Sequence, residues 1–160
     1  MDILIQVLKG GGVFDFSTID YGNMKIDSGD EKMALANRTA FIKENFPRHT
    51  SLRMAKVNHG TRVVMVGKKS RKKVYDADAI LTKDRGVAVA VTFADCPPVL
   101  LFDRKKRIVG AIHCSYQTVL DDIIDKTLLV AMDGGVCLSD LLVIIGPGIC
   151  GGCYEIGENV

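Results

Sequence analysis

The sequence has no long apolar run, little net charge and no export signal. No stretch approaches the roughly 20 consecutive apolar residues that a membrane-spanning helix needs, so we expect no membrane partner. Lys and Arg total 21 against 19 Asp and Glu, a net charge of +2. Charge therefore predicts no nucleic-acid partner. The apolar N-terminal segment begins with Asp2 where a signal peptide is basic, and no small-residue cleavage site follows. We expect a cytoplasmic protein.

The composition is that of an ordinary soluble globular chain. It has 160 residues, of which 48% are hydrophobic and 25% charged, and this balance excludes disorder and fibrous repeats. The length suits one hydrophobic core. Because no internal repeat or linker interrupts the pattern, we predict a single domain over residues 1–160.

Strands and helices alternate along the chain. Near-continuous apolar runs at 86–93, 98–102 and 108–113 predict strands buried on both faces, hence a sheet covered by helices. Further strands are predicted at 3–8, 51–57 and 61–66, and a last buried one at 141–145. The sequence thus predicts an α/β (mixed α+β) fold with a central mixed sheet and helices packed on it.

Two helices have recognisable ends. Ser28 followed by Glu31 fits a capping box, apolar residues recur at helical spacing over 30–45, and Pro47 closes the segment. An apolar stripe from Val119 to Ala131 predicts one long second helix, which Gly134 stops.

Two basic clusters interrupt the strands. The run 68–73 holds five cations in six residues, but no aromatic residue interleaves for base stacking, so a solvated loop is the favoured interpretation. The cluster 104–107 lies between two predicted strands and is interpreted as a hairpin turn.

Chemistry-bearing residues stand at three predicted strand ends. His59, Cys96 and His113 supply two imidazoles and a thiolate, a ligand set typical of catalytic zinc with a fourth position open. Zinc bound there would lower the pKa of a water towards about 7. The alternative interpretation is a nucleophilic pair in which His113 activates Cys96. Asp95 is either a turn residue or a substrate contact.

The remaining cysteines leave a second possibility open. Five cysteines in a chain without an export signal argue against a disulfide framework. Cys150 and Cys153 form a C-x-x-C, which can be a redox dithiol or half of a zinc site. The two glycines between them disfavour the helix that normally stabilises such a thiolate. The glycines of Gly146-Pro147-Gly148 suit a tight turn that lets backbone approach a ligand.

Several ordered motifs resemble the laccase-domain (YfiH-like) family, whose members are regarded as purine nucleoside phosphorylases. They are GDEKMALANR at 29–38, the His-Gly pair at 59–60, DADAILTKDRGVAVAVTFADCPPVLLFD at 76–103, VGAIHCSY at 109–116 and IGPGICGGCYEIGENV at 145–160. The resemblance implies Zn²⁺ bound by His59, Cys96 and His113, with copper as another possible occupant. It also implies phosphorolysis of adenosine, inosine or guanosine, with adenosine deamination and methylthioadenosine cleavage as further activities. Some family members are linked instead to hydrolytic editing of peptidoglycan precursors.

On this basis we expect a purine nucleoside and phosphate as partners. Cys96, His113 and Asp95 are the candidate catalytic residues. The candidate substrate contacts are Arg38, Gly146 and Gly148.

The sequence departs from the family after its second histidine. The family pattern Ala-Gly-Trp-Arg-Gly is replaced by Cys114-Ser115-Tyr116-Gln117-Thr118, which removes a cation suited to phosphate. Family chains also continue further, so this domain is expected to lack their C-terminal part. A second hypothesis is therefore a weakened paralogue that binds metal or nucleoside and acts in a homo-oligomer, since an uncovered sheet edge favours association.

Overall fold

A computed structural model describes residues 2–8, 11–17, 19–24, 29–46, 50–103, 105, 108–155 and 157. Within these ranges the strands form two five-stranded sheets. The first sheet has the order β2 (Gly11–Phe16), β1 (Asp2–Leu8), β7 (Val87–Thr92), β3 (Ser51–Lys56), β5 (Val74–Asp76). The second has the order β10 (Leu141–Ile145), β8 (Pro98–Asp103), β9 (Ile108–His113), β6 (Ala79–Thr82), β4 (Val63–Val66). The helices are α1 (Glu31–Asn45), α2 (Tyr116–Leu120) and α3 (Ile123–Asp133).

Both sheets contain parallel and antiparallel pairs. In the first, β3 runs parallel to β7 and β5, whereas β1 is antiparallel to β2 and β7. In the second, only the β4–β6 pair is parallel. The predicted mixed α/β class is confirmed, with the strands divided between two sheets instead of one central sheet.

Side-chain alternation explains why both faces of the inner strands β6 and β7 are buried. In β7, Val89 and Val91 pack in the core between the sheets, while Ala88 and Ala90 lie beneath α1 with Phe41. Successive side chains of a strand point to opposite faces. Small alanines thus leave room for the helix, and larger valines fill the space between the sheets.

The second sheet is covered in the same way by α3. Ile80 on β6 faces the core between the sheets, whereas Leu81 faces the opposite side and packs with Ala131 of α3. The molecule is therefore layered as helix, sheet, sheet, helix. No helix in the described ranges is long and apolar enough to cross a bilayer.

The first helix begins close to its predicted position. Its N-cap is Asp30, whose carboxylate accepts the backbone N–H of Met33 at 2.9 Å. Ser28 and Pro47, which were predicted to cap and close it, lie outside the described residues.

The prediction of one long helix near residue 120 was wrong. The segment divides into α2 and α3 at Asp122, which adopts a left-handed backbone with φ of 63°. A residue in this conformation cannot continue a right-handed helix. Leu120, counted in the predicted apolar stripe, is consequently 75% exposed, whereas Ile123 is fully buried.

The strand at 141–145 is present but is not fully buried. It is the edge strand of its sheet, and Leu142, Val143 and Ile145 are exposed. The hairpin predicted around the second basic cluster is confirmed by the antiparallel β8–β9 pairing, although residues 104, 106 and 107 lie outside the described ranges. The first basic run lies in a loop between β4 and β5, where all five of its cations are exposed.

Candidate metal centre

One buried carboxylate organises the loop that carries His59. This loop follows β3, and Asp78 accepts its backbone N–H groups from Asn58 at 3.3 Å, His59 at 3.1 Å and Gly60 at 2.9 Å. His59 has a left-handed backbone, with φ of 59°. A left-handed backbone at a residue other than glycine persists only where surrounding contacts stabilise it, and the three hydrogen bonds to Asp78 stabilise it here.

The same carboxylate also binds His113, at the end of β9. Nδ1 of His113 lies 3.1 Å from Oδ1 of Asp78, and both side chains are buried. Backbone N–H of His113 donates to the carbonyl of Asp78 at 2.8 Å. An ionised carboxylate can only accept hydrogen bonds, so Nδ1 carries the proton and donates it. In the neutral ring, Nε2 then keeps the lone pair needed to bind a metal or to accept a proton.

The two imidazoles lie side by side. The ring centroids of His59 and His113 are 5.0 Å apart, and the rings meet edge-on at 80°. His59 is exposed, whereas His113 is 3% exposed. A buried, oriented imidazole thus adjoins one that solvent and solutes can reach.

Asp78 stays ionised in this setting. Burial alone would raise the pKa of Asp78, but the hydrogen bonds from His113, Gly60 and Asn58 outweigh burial and hold the pKa below the ordinary value of 3.8. The negative charge is therefore available at neutral pH to orient His113.

Cys96 stands in the loop between β7 and β8, close to the histidine strand. Pro98, two residues on, pairs with His113, and backbone N–H of Cys114 donates to the carbonyl of Pro97 at 3.2 Å. Cys96 is partly buried, and burial together with the charge of Asp95 raises its pKa. A metal or another cation would be needed to favour its thiolate.

The glycines of the segment 146–148 pack directly against the Cys96 loop. A Cβ on Gly148 would lie 3.0 Å from the carbonyl oxygen of Asp95 and from Pro97, and a Cβ on Gly146 would lie 2.7 Å from Pro98. Backbone N–H of Ile149 donates to the Asp95 carbonyl at 2.8 Å. The structure thus gives both glycines a role in close packing beside Cys96. Their predicted contact with substrate stays a prediction.

The donor types suit zinc, but the described residues include no group of three His, Cys, Asp or Glu side chains placed to hold an ion. His113 fits by its hydrogen bonding, because a zinc-binding imidazole usually donates its other ring N–H to a carboxylate or carbonyl. The three-residue ligand set of His59, Cys96 and His113 therefore stays a prediction.

Arg38 lies in a different part of the molecule. It is buried on α1 and lines a cavity of about 260 Å³ with Lys73 and the start of β3 at Ser51 and Leu52. His59 follows the opposite end of that strand. The structure does not bring Arg38 together with the two histidines, and its proposed contact with substrate stays a prediction.

Sequence reasoning missed Asp78 as a functional residue. The available signals were its place in the Asp76-Ala77-Asp78 segment, immediately before the apolar strand β6, and its inclusion in the family-like motif at 76–103. An aspartate there is equally typical of a turn. Its role is visible only once β6 and β9 are paired, with Ala79 opposite Ile112.

The residues that depart from the family pattern form the start of α2. Ser115 caps this helix by accepting the N–H of Thr118 at 3.2 Å, and Thr118 Oγ1 donates to the carbonyl of His113 at 3.1 Å. Tyr116 and Gln117 are exposed just beyond His113. The substituted segment therefore supports the backbone of His113 and presents two uncharged side chains to solvent.

Comparison with known proteins finds relatives that share the name purine nucleoside phosphorylase. A purine nucleoside phosphorylase of Deinococcus radiodurans is 30% identical over 160 residues, covering 95% of this chain and 58% of that protein. One from Streptomyces griseus is 32% identical and covers 95% of this chain and 63% of that protein. The chain thus spans about three-fifths of the length of these relatives.

Solved structures show the same fold. YlmD from Geobacillus stearothermophilus aligns with a TM-score of 0.78 at 24% identity, covering 98% of this chain and 60% of that one. The Bacillus licheniformis protein YfiH aligns with a TM-score of 0.76 at 21% identity, covering 86% of this chain and 56% of that one.

The family model described as multi-copper polyphenol oxidoreductase laccase matches residues 5–160. The matched range includes Asp78, His59, His113 and the loop that carries Cys96. Because it extends over nearly the whole sequence, the chain belongs to this laccase-domain family.

Proposed function

We propose that this chain is a zinc-dependent enzyme that cleaves purine nucleosides with phosphate, releasing free base and ribose 1-phosphate. The observation that carries the proposal is the arrangement around Asp78, whose carboxylate positions the His59 loop and binds His113. Relatives at about 30% identity are named purine nucleoside phosphorylases, and they supply the substrate class.

The proposed ligands are His59, Cys96 and His113. When bound, zinc would act as a Lewis acid that polarises the substrate or a water molecule. The hydrogen bond from Nδ1 of His113 to Asp78 leaves Nε2 as the ring nitrogen that would bind the metal. His59 is the exposed member of the pair, so solvent and substrate could reach a metal held there.

Phosphorolysis transfers the sugar from a nitrogen of the base to an oxygen of phosphate. Phosphate attacks the sugar carbon as the glycosidic bond breaks through an oxocarbenium-like state, and the base leaves with the bonding electrons and takes up a proton from phosphate or water to become the free base. Asp95, exposed beside Cys96, carries the charge that could stabilise a cationic sugar. Deamination of adenosine and cleavage of methylthioadenosine are proposed for the same site.

The test is phosphate-dependent release of free base from adenosine and from inosine, with bound metal quantified in the same preparation. His59→Asn is the preferred ligand variant, because Asn tolerates the left-handed backbone of that position but binds zinc poorly. Cys96→Ala is the second variant. Cys137→Ala, which removes an exposed thiol, is the matched control.

We expect release to require phosphate and to fall by about a hundredfold or more in both ligand variants, with zinc content falling in parallel. The control should retain activity and zinc. Stoichiometric zinc without base release would overturn phosphorolysis and leave a metal-binding protein. Turnover that survives in both ligand variants and after chelation would overturn the metal centre.

A further inference from the structure

The C-terminal C-x-x-C forms a thiol pair that the proposed phosphorolysis does not use. Residues 151–153 form a turn, in which backbone N–H of Cys153 donates to the carbonyl of Cys150 at 2.9 Å. This turn brings the two Sγ atoms to 2.7 Å, where they share a hydrogen bond. Both thiols are free and exposed.

The two sulfurs are not equivalent. The hydrogen bond between the two thiols, together with the backbone N–H groups of Cys153 and Gly152, lowers the pKa of Cys150. The same thiol–thiol hydrogen bond raises the pKa of Cys153. The turn itself therefore supplies the donors that a helix N-terminus gives in other C-x-x-C sites, which removes the objection that the intervening glycines raised.

The turn that carries the two thiols is open to solvent. A Cβ added to Gly151 or Gly152 would meet no atom within 4 Å, so the space around the turn is open. Because both thiols are exposed, a small disulfide can reach Cys150 from solvent.

None of the other three cysteines combines an exposed thiol, a second thiol in contact and a lowered pKa. Cys114 is buried, and burial together with the charge of Cys96 raises its pKa to about 12. Cys96 is partly buried with a raised pKa. Cys137 is exposed, but its sulfur contacts the hydroxyl of Ser139 at 3.1 Å and not a second thiol.

We propose that Cys150 and Cys153 form a reversible dithiol–disulfide centre that exchanges with low-molecular-weight disulfides. In the first step the Cys150 thiolate attacks one sulfur of the oxidant, a protein–oxidant S–S bond forms, and one oxidant thiol leaves. Cys153 then loses its proton and attacks Sγ of Cys150. The Cys150–Cys153 bond forms, and the second oxidant thiol leaves. The protein loses two electrons and two protons, and one disulfide becomes two thiols.

The test equilibrates the full chain, with a chelator present, in buffers of increasing oxidised-to-reduced glutathione ratio. Thiols are trapped by acid and alkylation, and each cysteine-containing peptide is assigned by mass. We expect Cys150 and Cys153 to be lost together in one two-electron transition, as an internal disulfide that dithiothreitol reverses. In a time course at one glutathione ratio, the Cys150–Cys153 disulfide should form about tenfold or more faster than glutathione adds to Cys137.

Two variants sharpen the result. Cys153→Ser should accumulate a mixed disulfide with glutathione on Cys150, because the resolving thiol is gone. Cys137→Ser should leave the transition unchanged. A pair that stays reduced at every ratio, or that ends as two separate glutathione adducts, would overturn the proposal.

Discussion

The imidazole of His113 and the carboxylate of Asp78 lie 3.1 Å apart with both side chains buried. The same carboxylate accepts three backbone N–H groups from the loop that carries His59. One charge thus fixes the tautomer of one histidine and the backbone of the other. Its removal should affect stability and site geometry together.

Asp78→Asn should destabilise the protein near neutral pH by roughly 1–3 kcal/mol, because a charged acceptor of one buried and three partly buried hydrogen bonds is replaced by a neutral one. Since the pKa of Asp78 is lowered on folding, the native state binds its proton less readily than the unfolded state. The resulting stability is present above the ordinary Asp value and lost as the pH falls through the native pKa.

Urea denaturation of wild type and Asp78→Asn tests this pH dependence. At about pH 6 the Asp78 carboxylate is ionised, whereas about pH 3 is much closer to the range in which an Asp carboxyl titrates. The difference between wild type and variant should shrink in acid. Asp76→Asn, an exposed carboxylate two residues away, is the control and should follow wild type. A difference independent of pH would contradict the role of the charge.

Gly148→Ala should destabilise the protein by about 1–3 kcal/mol through overpacking. The added methyl would lie 3.0 Å from the carbonyl oxygen of Asp95 and from Pro97, so backbone has to shift. Gly151→Ala places its methyl in open space and is the matched control. In thermal unfolding, Gly148→Ala should have a clearly lower Tm than Gly151→Ala. Equal stability would show that the Cys96 loop tolerates displacement.

Asp122→Gly should stabilise the protein by about 0.5–1 kcal/mol, because Gly adopts a left-handed backbone without the steric cost that other residues bear. Asp122 forms no side-chain cap on α3, so little is lost with its carboxylate. The neighbouring Asp121→Gly, where φ is −89°, should instead lower stability. Chemical denaturation of both variants tests the sign, and destabilisation by Asp122→Gly would contradict it.

Native Cys114 should react with iodoacetamide about a hundredfold more slowly than Cys137, because only the thiolate reacts and the Cys114 thiol is buried with a pKa of about 12. Peptide mass analysis over time gives both rates in one sample. Unfolding in urea should bring the two rates together. Similar native rates would mean that the helix α2 region opens readily.

Much of the fold followed from local patterns. The valine–alanine alternation of β7 and the apolar runs of β8 and β9 predicted strands buried on both faces, and the structure confirms them. His59, Cys96 and His113 were selected as candidate ligands by residue type, by their positions after predicted strands and by the family resemblance, and their role as ligands stays a prediction.

The sequence by itself determined most of the strand segments, the position of the first helix and which residue types could bind a metal, but it did not indicate β2, β5 or β6 or the break between α2 and α3. Only the tertiary structure decided that the strands divide between two sheets, that β10 is an exposed edge, and that Asp78 joins His59 to His113. The periodicity of apolar residues indicates which side chains are buried. It does not show which strand pairs with which, because pairing between distant segments depends on the packing of the whole chain. A turn aspartate and a buried hydrogen-bond acceptor therefore look alike until the strands around them are in place.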